Sequence, residues 1–185
     1  MEKFICMNYN PDQKRTGDCV LRAIAAFEHF EIKKNDEGII SSAEIYKRIK
    51  SEILEHGSYE LQLNFEKYLS KHNYVRINTY RWIDNIDLRT VNQLATFCKN
   101  FNLRALALTN NHMVYVDPEG VIDTWDSRRK RLESFYVKEE DIKKLGVTLL
   151  DEADHFTDIK YVDTKENVIR YNKVNDRTYR QIRLK

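Results

Sequence analysis

The sequence predicts an α+β fold, and three observations lead to it. Apolar residues recur at helical spacing through the first half of the chain, with two capping boxes marking helix starts. Short alternating apolar runs fill most of the second half. The order of helices first and strands later is that of a sheet with helices packed on it. At 185 residues with 42% apolar and 11% aromatic side chains, the chain can bury one sizeable core. The expected organisation is a main domain over 1–137 and a β-rich extension over 138–185 within the same globule.

Residues 1–17 read as an irregular lead-in, with Asn10-Pro11 and Thr16-Gly17 as turn signals. Cys19 to Phe30 is almost wholly apolar, carries alanines and no breaker, and follows Asp18, a good N-cap; a mostly buried helix is expected there. Ser41-Ser42-Ala43-Glu44 is a capping box opening a second helix whose face is Ile45, Ile49 and Ile53. A third helix is expected over Tyr59–Lys71 and a strand over Val75–Tyr80. Thr90-Val91-Asn92-Gln93, a second capping box, opens a helix through Leu94, Phe97 and Phe101. Strands follow over Arg104–Leu108, His112–Val116 and Val121–Asp126, the last two joined at Asp117-Pro118-Glu119-Gly120. Lys138–Leu145 reads as a short helix, and Ile159–Val162, Val168–Val174 and Thr178–Leu184 as three alternating strands.

Composition excludes several functions. Five Gly and two Pro leave no room for a glycine-rich phosphate loop. Leu149-Leu150-Asp151-Glu152-Ala153-Asp154 therefore resembles a nucleotide-hydrolase motif only by coincidence, since the phosphate-holding G-x-x-x-x-G-K-[ST] is absent. The acidic run with His155 and Asp158 reads as a solvated face and not as a metal site, and no cofactor is expected. No run approaches the ~18 apolar residues of a spanning helix, and Met1–Asn8 lacks the long apolar stretch of a secretory signal. A net charge of +2 makes nucleic acid an unlikely partner. Charge is nonetheless uneven: a basic knot, Arg128-Arg129-Lys130-Arg131, and a basic tail beyond residue 170 are candidate docking patches for an acidic partner. Cys6, Cys19 and Cys98 show no CxxC spacing, which fits a reducing, cytoplasmic compartment.

Cys19 is the strongest candidate for chemistry. At the first turn of an apolar helix, the macrodipole and open backbone N–H groups stabilise a thiolate and can also hold an oxyanion. A nucleophilic cysteine needs a base, and His112 alone among five histidines opens an apolar strand. The return strand of its hairpin carries Asp123 and Asp126, either of which can orient an imidazole.

Thr16-Gly17-Asp18-Cys19-Val20-Leu21-Arg22-Ala23, then Asn111-His112-Met113-Val114, then Val121-Ile122-Asp123-Thr124-Trp125-Asp126 resemble the papain-like cysteine peptidases. The likeness is greatest to small bacterial and phage-type members with G-D-C-x-x-R-A, a strand His and D-T-W-D. The Cys19 block is also similar to the D-G-N-C-L-x-R-A motif of ovarian-tumour-type deubiquitinases, with Thr16 in place of the leading Asp. The resemblance covers about residues 8–136 and implies a papain-like fold, with the nucleophile helix packed on an antiparallel sheet. It also implies a peptidase or isopeptidase acting on a protein or peptide through a Cys19-His112-Asp123 triad. Acyl transfer or deamidation by the same triad, or a non-catalytic binding module on the same fold, are the alternatives.

The hairpin leaves the third member open. A two-residue loop pairs Val116 with Val121 and puts His112, Asp123 and Trp125 on one face. A three-residue loop with Gly120 as a bulge puts Asp126 there instead, and Pro118 with Gly120 favours that bulged turn. The resemblance favours Asp123. It also implies an oxyanion donor in Gln13, six residues before Cys19; Asn10 is a rival amide in the same loop.

Overall fold

The computed structural model describes residues 1–14, 17–35, 40–78, 88–142, 148–151, 159–164 and 167–173. The elements run β1 (Phe4–Cys6), α1 (Cys19–Asn35), α2 (Ser42–Leu54), α3 (Gln62–Lys71), β2 (Tyr74–Asn78), α4 (Val91–Phe101), β3 (Ala105–Thr109), β4 (His112–Asp117), β5 (Gly120–Asp123), β6 (Leu132–Lys138), α5 (Glu139–Ile142), β7 (Thr148–Asp151), β8 (Ile159–Thr164) and β9 (Asn167–Lys173). The fold is mixed α+β. Six strands in the order β1-β5-β4-β3-β6-β2 make the part of the sheet that carries the helices, and β9-β8-β7 continue it beyond β2.

The two capping boxes act as their residue types dictate. Glu44 N–H donates to Ser41 Oγ (3.2 Å) while Ser41 N–H donates to Glu44 Oε2 (2.9 Å), starting α2. Gln93 N–H donates to Thr90 Oγ1 (3.3 Å) and Thr90 N–H to Gln93 Oε1 (2.9 Å), starting α4. Asn102, left-handed at φ 52°, ends α4.

Helices cover both faces of the sheet. Leu21, Ile24 and Phe27 of α1, the Ile45–Ile49–Ile53 face of α2 and Phe65 and Leu69 of α3 pack against Leu106, Tyr115, Ile122 and Tyr136. On the other face, Leu94, Phe97 and Cys98 of α4 meet Val75, Ala107, Val114, Val116 and Phe135. Each of these large apolar side chains contributes roughly 1.5–3 kcal/mol on burial. A strand buried on both faces reads as continuously apolar, which is why all five residues of β3 are buried.

Three differences from the sequence expectation stand out. Phe4–Cys6, expected to be irregular, is a strand pairing parallel with β5, so the sheet is mixed and not purely antiparallel. Three residues are too few for a period to show, and their partner lies over a hundred residues away. Leu132–Lys138 forms β6, a central strand between β3 and β2 that the sequence pattern did not single out. The β4–β5 connection is the two-residue loop, with Val116 opposite Val121 and Asp117 opposite Gly120. Pro118 and Gly120 favoured a bulge, but the Asp117 side chain decides otherwise. Its Oδ1 accepts from Glu119 N–H (2.8 Å) and Gly120 N–H (3.1 Å), closing the tight turn. The expected strand over Thr178–Leu184 and the second halves of the Val75–Tyr80 strand and Lys138–Leu145 helix lie wholly or partly outside the described residues.

Gly120 has a second constraint, because β1 runs against it. Its φ is +145°, and a Cβ there would stand 2.3 Å from the Lys3 carbonyl oxygen. Gly120→Ala should therefore lower unfolding stability by roughly 2 kcal/mol or more, measured by urea denaturation. A loss under about 0.5 kcal/mol would show that β1 yields freely.

Candidate active site

The start of α1 meets the start of β4 and the end of β5, and the sequence-predicted residues converge there. Cys19 is the first residue of α1 and His112 the first of β4, while Asp123 is the last of β5. His112 Nε2 lies 2.7 Å from Asp123 Oδ2, with the two side chains only 10% and 5% exposed. The imidazole also hydrogen-bonds Cys19, and with Nε2 engaged by Asp123 the nitrogen left for sulfur is Nδ1. Asp123 is itself fixed: its Oδ1 accepts from Thr124 N–H at 2.7 Å, and its backbone carbonyl accepts from Met7 N–H at 2.9 Å. The Trp125 ring lies over His112, with centroids 5.0 Å apart and planes tilted 34°.

Electrostatics favour the charged pair. Burial pushes the Cys19 thiol up, but hydrogen bonds from His112 and from the Met113 backbone N–H, with the positive charges of His112 and Arg22, outweigh it and hold the thiol below its ordinary value. Burial alone would lower His112. Its hydrogen bonds to Asp123 and Cys19, and their negative charges, raise it instead to about 9. Both shifts favour the thiolate form of Cys19 and the imidazolium form of His112. A cleft of about 570 Å³ opens on this pair, with Val20, Phe65, Leu108 and Trp125 among its lining.

Asp126, the alternative third member, is elsewhere. It is 46% exposed and forked by Arg128 (Nη2 2.7 Å, Nε 2.8 Å), which draws its carboxyl down to about 2. The two-residue hairpin loop is the reason, because it leaves Asp123 on the face of His112.

Neither expected oxyanion amide lines the cleft. Asn10 is buried, and its Nδ2 is spent on Asp18 Oδ2 (2.5 Å), with Tyr46 Oη at 3.2 Å. Gln13 is exposed, left-handed at φ 57°, and donates from Nε2 to the Asn10 carbonyl (3.2 Å). Both amides build the loop before α1. The donors at hand are instead the backbone N–H groups of the first turn of α1 and the Met113 N–H aimed at sulfur. No side-chain pattern announces a backbone donor, so the sequence could not single out Met113. Tyr46 was likewise hidden beside the apolar face of α2.

The basic knot has a backbone role. The carbonyls of Arg128 and Lys130 accept from Asn92 N–H (2.9 Å) and Val91 N–H (3.1 Å) at the start of α4. Arg128 also reaches the Glu2 carbonyl (2.7 Å), and Lys130 Nζ stands 5.3 Å from the Trp125 ring centre. Among the described residues no three His, Cys, Asp or Glu side chains group as a metal site would require, and residues 152–158 of the acidic run lie outside them. Among the described residues, no helix is long and apolar enough to cross a membrane.

Iodoacetamide should alkylate Cys19 several-fold faster than Cys6 at pH 6, read by mass spectrometry, while Cys98, which burial pushes far up, stays unlabelled until the chain unfolds. Equal labelling of Cys19 and Cys6 would contradict the ion pair. Asp123→Ala removes the group that most raises His112, so loss of the imidazolium, seen as a pH step near 9 in the wild type, should move down. Asp126→Ala should leave that step in place.

Comparison with known proteins supplies no relative: no protein-family model, curated protein or solved structure matches this chain.

Proposed function

We propose that the protein is a papain-like cysteine hydrolase that cleaves amide bonds of a peptide or isopeptide. One observation carries the reading: a largely buried imidazole, lining an open cleft, stands between the Cys19 sulfur and the Asp123 carboxylate. A satisfied core histidine has no need of both a thiol and a carboxylate, nor of a cleft leading to it. A nucleophile at the head of a helix laid on a sheet, with its base on a strand, also suits the papain-like arrangement. The parallel β1 and the helix α4 on the far face are additions to that arrangement.

The chemistry follows from the pair. The Cys19 thiolate attacks the amide carbonyl carbon, a C–S bond forms, and the carbonyl π pair moves onto oxygen. The Cys19 backbone N–H at the start of α1, helped by the helix dipole, stabilises that oxyanion. His112, held in orientation by Asp123, gives its Nδ1 proton to the leaving nitrogen as the C–N bond breaks, and a thioester remains. The neutral imidazole then takes a proton from water, which attacks the thioester and releases the acid and the thiolate. Trp125, 41% exposed over His112, limits the access of bulk water to the His112–Asp123 pair.

The cleft also favours one kind of substrate. Its lining includes the apolar Val20, Phe65 and Leu108 and the exposed Glu60. A long aliphatic side chain ending in a cation suits such a surface, so lysine or arginine beside the scissile bond fits better than an acidic residue. The three cysteines are all free, in keeping with a reducing, cytoplasmic compartment. The exposed side chains of Arg129 and Lys130, beside Trp125, would favour an acidic stretch on a protein partner.

A library of internally quenched peptides tests the reading. Wild-type protein should turn over members bearing Lys or Arg near the cleaved bond, and Cys19→Ala should lose all turnover. Glu60→Lys should lower kcat/KM for those members about five- to tenfold and spare neutral ones. A correctly folded wild type that alkylates rapidly at Cys19 yet cleaves no amide or ester would sink the hydrolase reading and leave a binding module.

A further inference from the structure

Asp18 directly precedes the nucleophile and is the residue type that caps a helix by accepting from the amides of its first turn. It does not do so here. Its Oδ2 accepts from Asn10 Nδ2 at 2.5 Å and from the Tyr46 hydroxyl at 2.7 Å, and its Oδ1 stands 2.9 Å from Arg22 Nη1. The side chains of Asp18 and Arg22 are only 5% and 6% exposed, and Arg22 Nη1 also donates to the Lys14 carbonyl at 2.9 Å. The first backbone bond of α1 runs from Arg22 N–H to the Asp18 carbonyl (3.1 Å). The amides of Cys19, Val20 and Leu21 thus precede the helical ladder, and among the described residues no oxygen accepts from them. Cys19 and Val20 line the cleft.

This arrangement bears on the reaction proposed above. A carboxylate seated on the first-turn amides would occupy the place where the carbonyl oxygen gathers charge. It would also put a negative charge beside the thiolate. Asn10 arrives from the loop before α1 and Tyr46 from α2, and both are buried. Two elements therefore converge on one oxygen of a carboxylate whose residue type ordinarily caps its own helix.

We propose that Tyr46 and Asn10 are positioning residues: by holding the Asp18 carboxylate aside, they keep it from capping α1 and leave the amides of Cys19 and Val20 to receive the oxyanion of the tetrahedral intermediate. The proposal rests on the hydrolase reading. The chemical step is the one already balanced: the C–S bond forms, the π pair moves to oxygen, and collapse expels the protonated amine. Asn10, expected from the sequence as a direct oxyanion donor, serves the oxyanion through Asp18 instead.

Two probes of the full chain separate this role from a structural one. p-Nitrophenyl acetate acylates Cys19 through an oxyanion, whereas iodoacetamide alkylates it by direct displacement without one. At pH 8, Tyr46→Phe should slow acylation about tenfold or more and change alkylation less than threefold. Adding Asp18→Ala to Tyr46→Phe removes the intruding carboxylate and should restore most of the acylation rate, which a merely structural loss would not allow. Three results overturn the proposal: acylation by Tyr46→Phe within twofold of wild type, parallel loss of both reactions, or no recovery on adding Asp18→Ala. A wild-type Cys19 that alkylates no faster than Cys6 is a different outcome, since it removes the activated thiolate and with it the hydrolase reading.

Discussion

The pairing of Val116 with Val121 decides what stands opposite His112. In an antiparallel hairpin a one-residue slip exchanges the faces, and Asp126 would then replace Asp123 beside the imidazole. Two local contacts hold the register. Asp117 closes the loop onto its own backbone, and Gly120 lets the Lys3 carbonyl approach where no side chain could fit. The placing of Asp123 beside His112 thus depends on a turn at the far end of the hairpin, four to six residues from the groups it aligns.

Around Cys19 two buried polar sets share one helix start. His112 and Asp123 lie on the sheet side, and Asp18, Arg22, Asn10 and Tyr46 on the helix side. Burial magnifies each charge, so neither set tolerates an unpaired member. The Arg22 guanidinium belongs to the second set yet also lowers the Cys19 thiol, which couples the two electrostatically. Further along α1, Glu28 and Glu31 form ion pairs with Lys138 and Arg104. Leu21, Ile24 and Phe27 anchor the helix on the sheet, and Ala23, Ala25 and Ala26 allow close approach.

Elements whose signals are local could be read from the sequence. The boxes at Ser41 and Thr90 write both partners of each hydrogen bond within four residues, and α1 shows as an unbroken apolar run. Cys19 and His112 could be named from their local settings, whereas only the family resemblance favours Asp123 over Asp126, against the turn signal. What stayed hidden depends on distant partners. β1 is three residues whose pairing lies in β5, and β6 gains its place only from neighbours on both sides. The role of Asn10 could not be read because an amide next to a nucleophile motif looks the same whether it faces the cleft or a carboxylate. The bulged turn seemed natural from Pro118 and Gly120 because Asp117's two backbone bonds are a matter of side-chain direction, not of residue type.

The parallel pairing of β1 with β5 also has a consequence in time. Parallel neighbours need a long crossover, and here it spans more than a hundred residues, so β1 must wait for residues 121–123 before it can pair. At roughly 5–20 residues per second of synthesis, that delay is on the order of ten seconds. Cys19 precedes by more than ninety residues the main partners that lower its thiol, His112 above all. A growing chain therefore lacks the main groups that lower the Cys19 thiol until the β4–β5 hairpin has been synthesised and paired with β1.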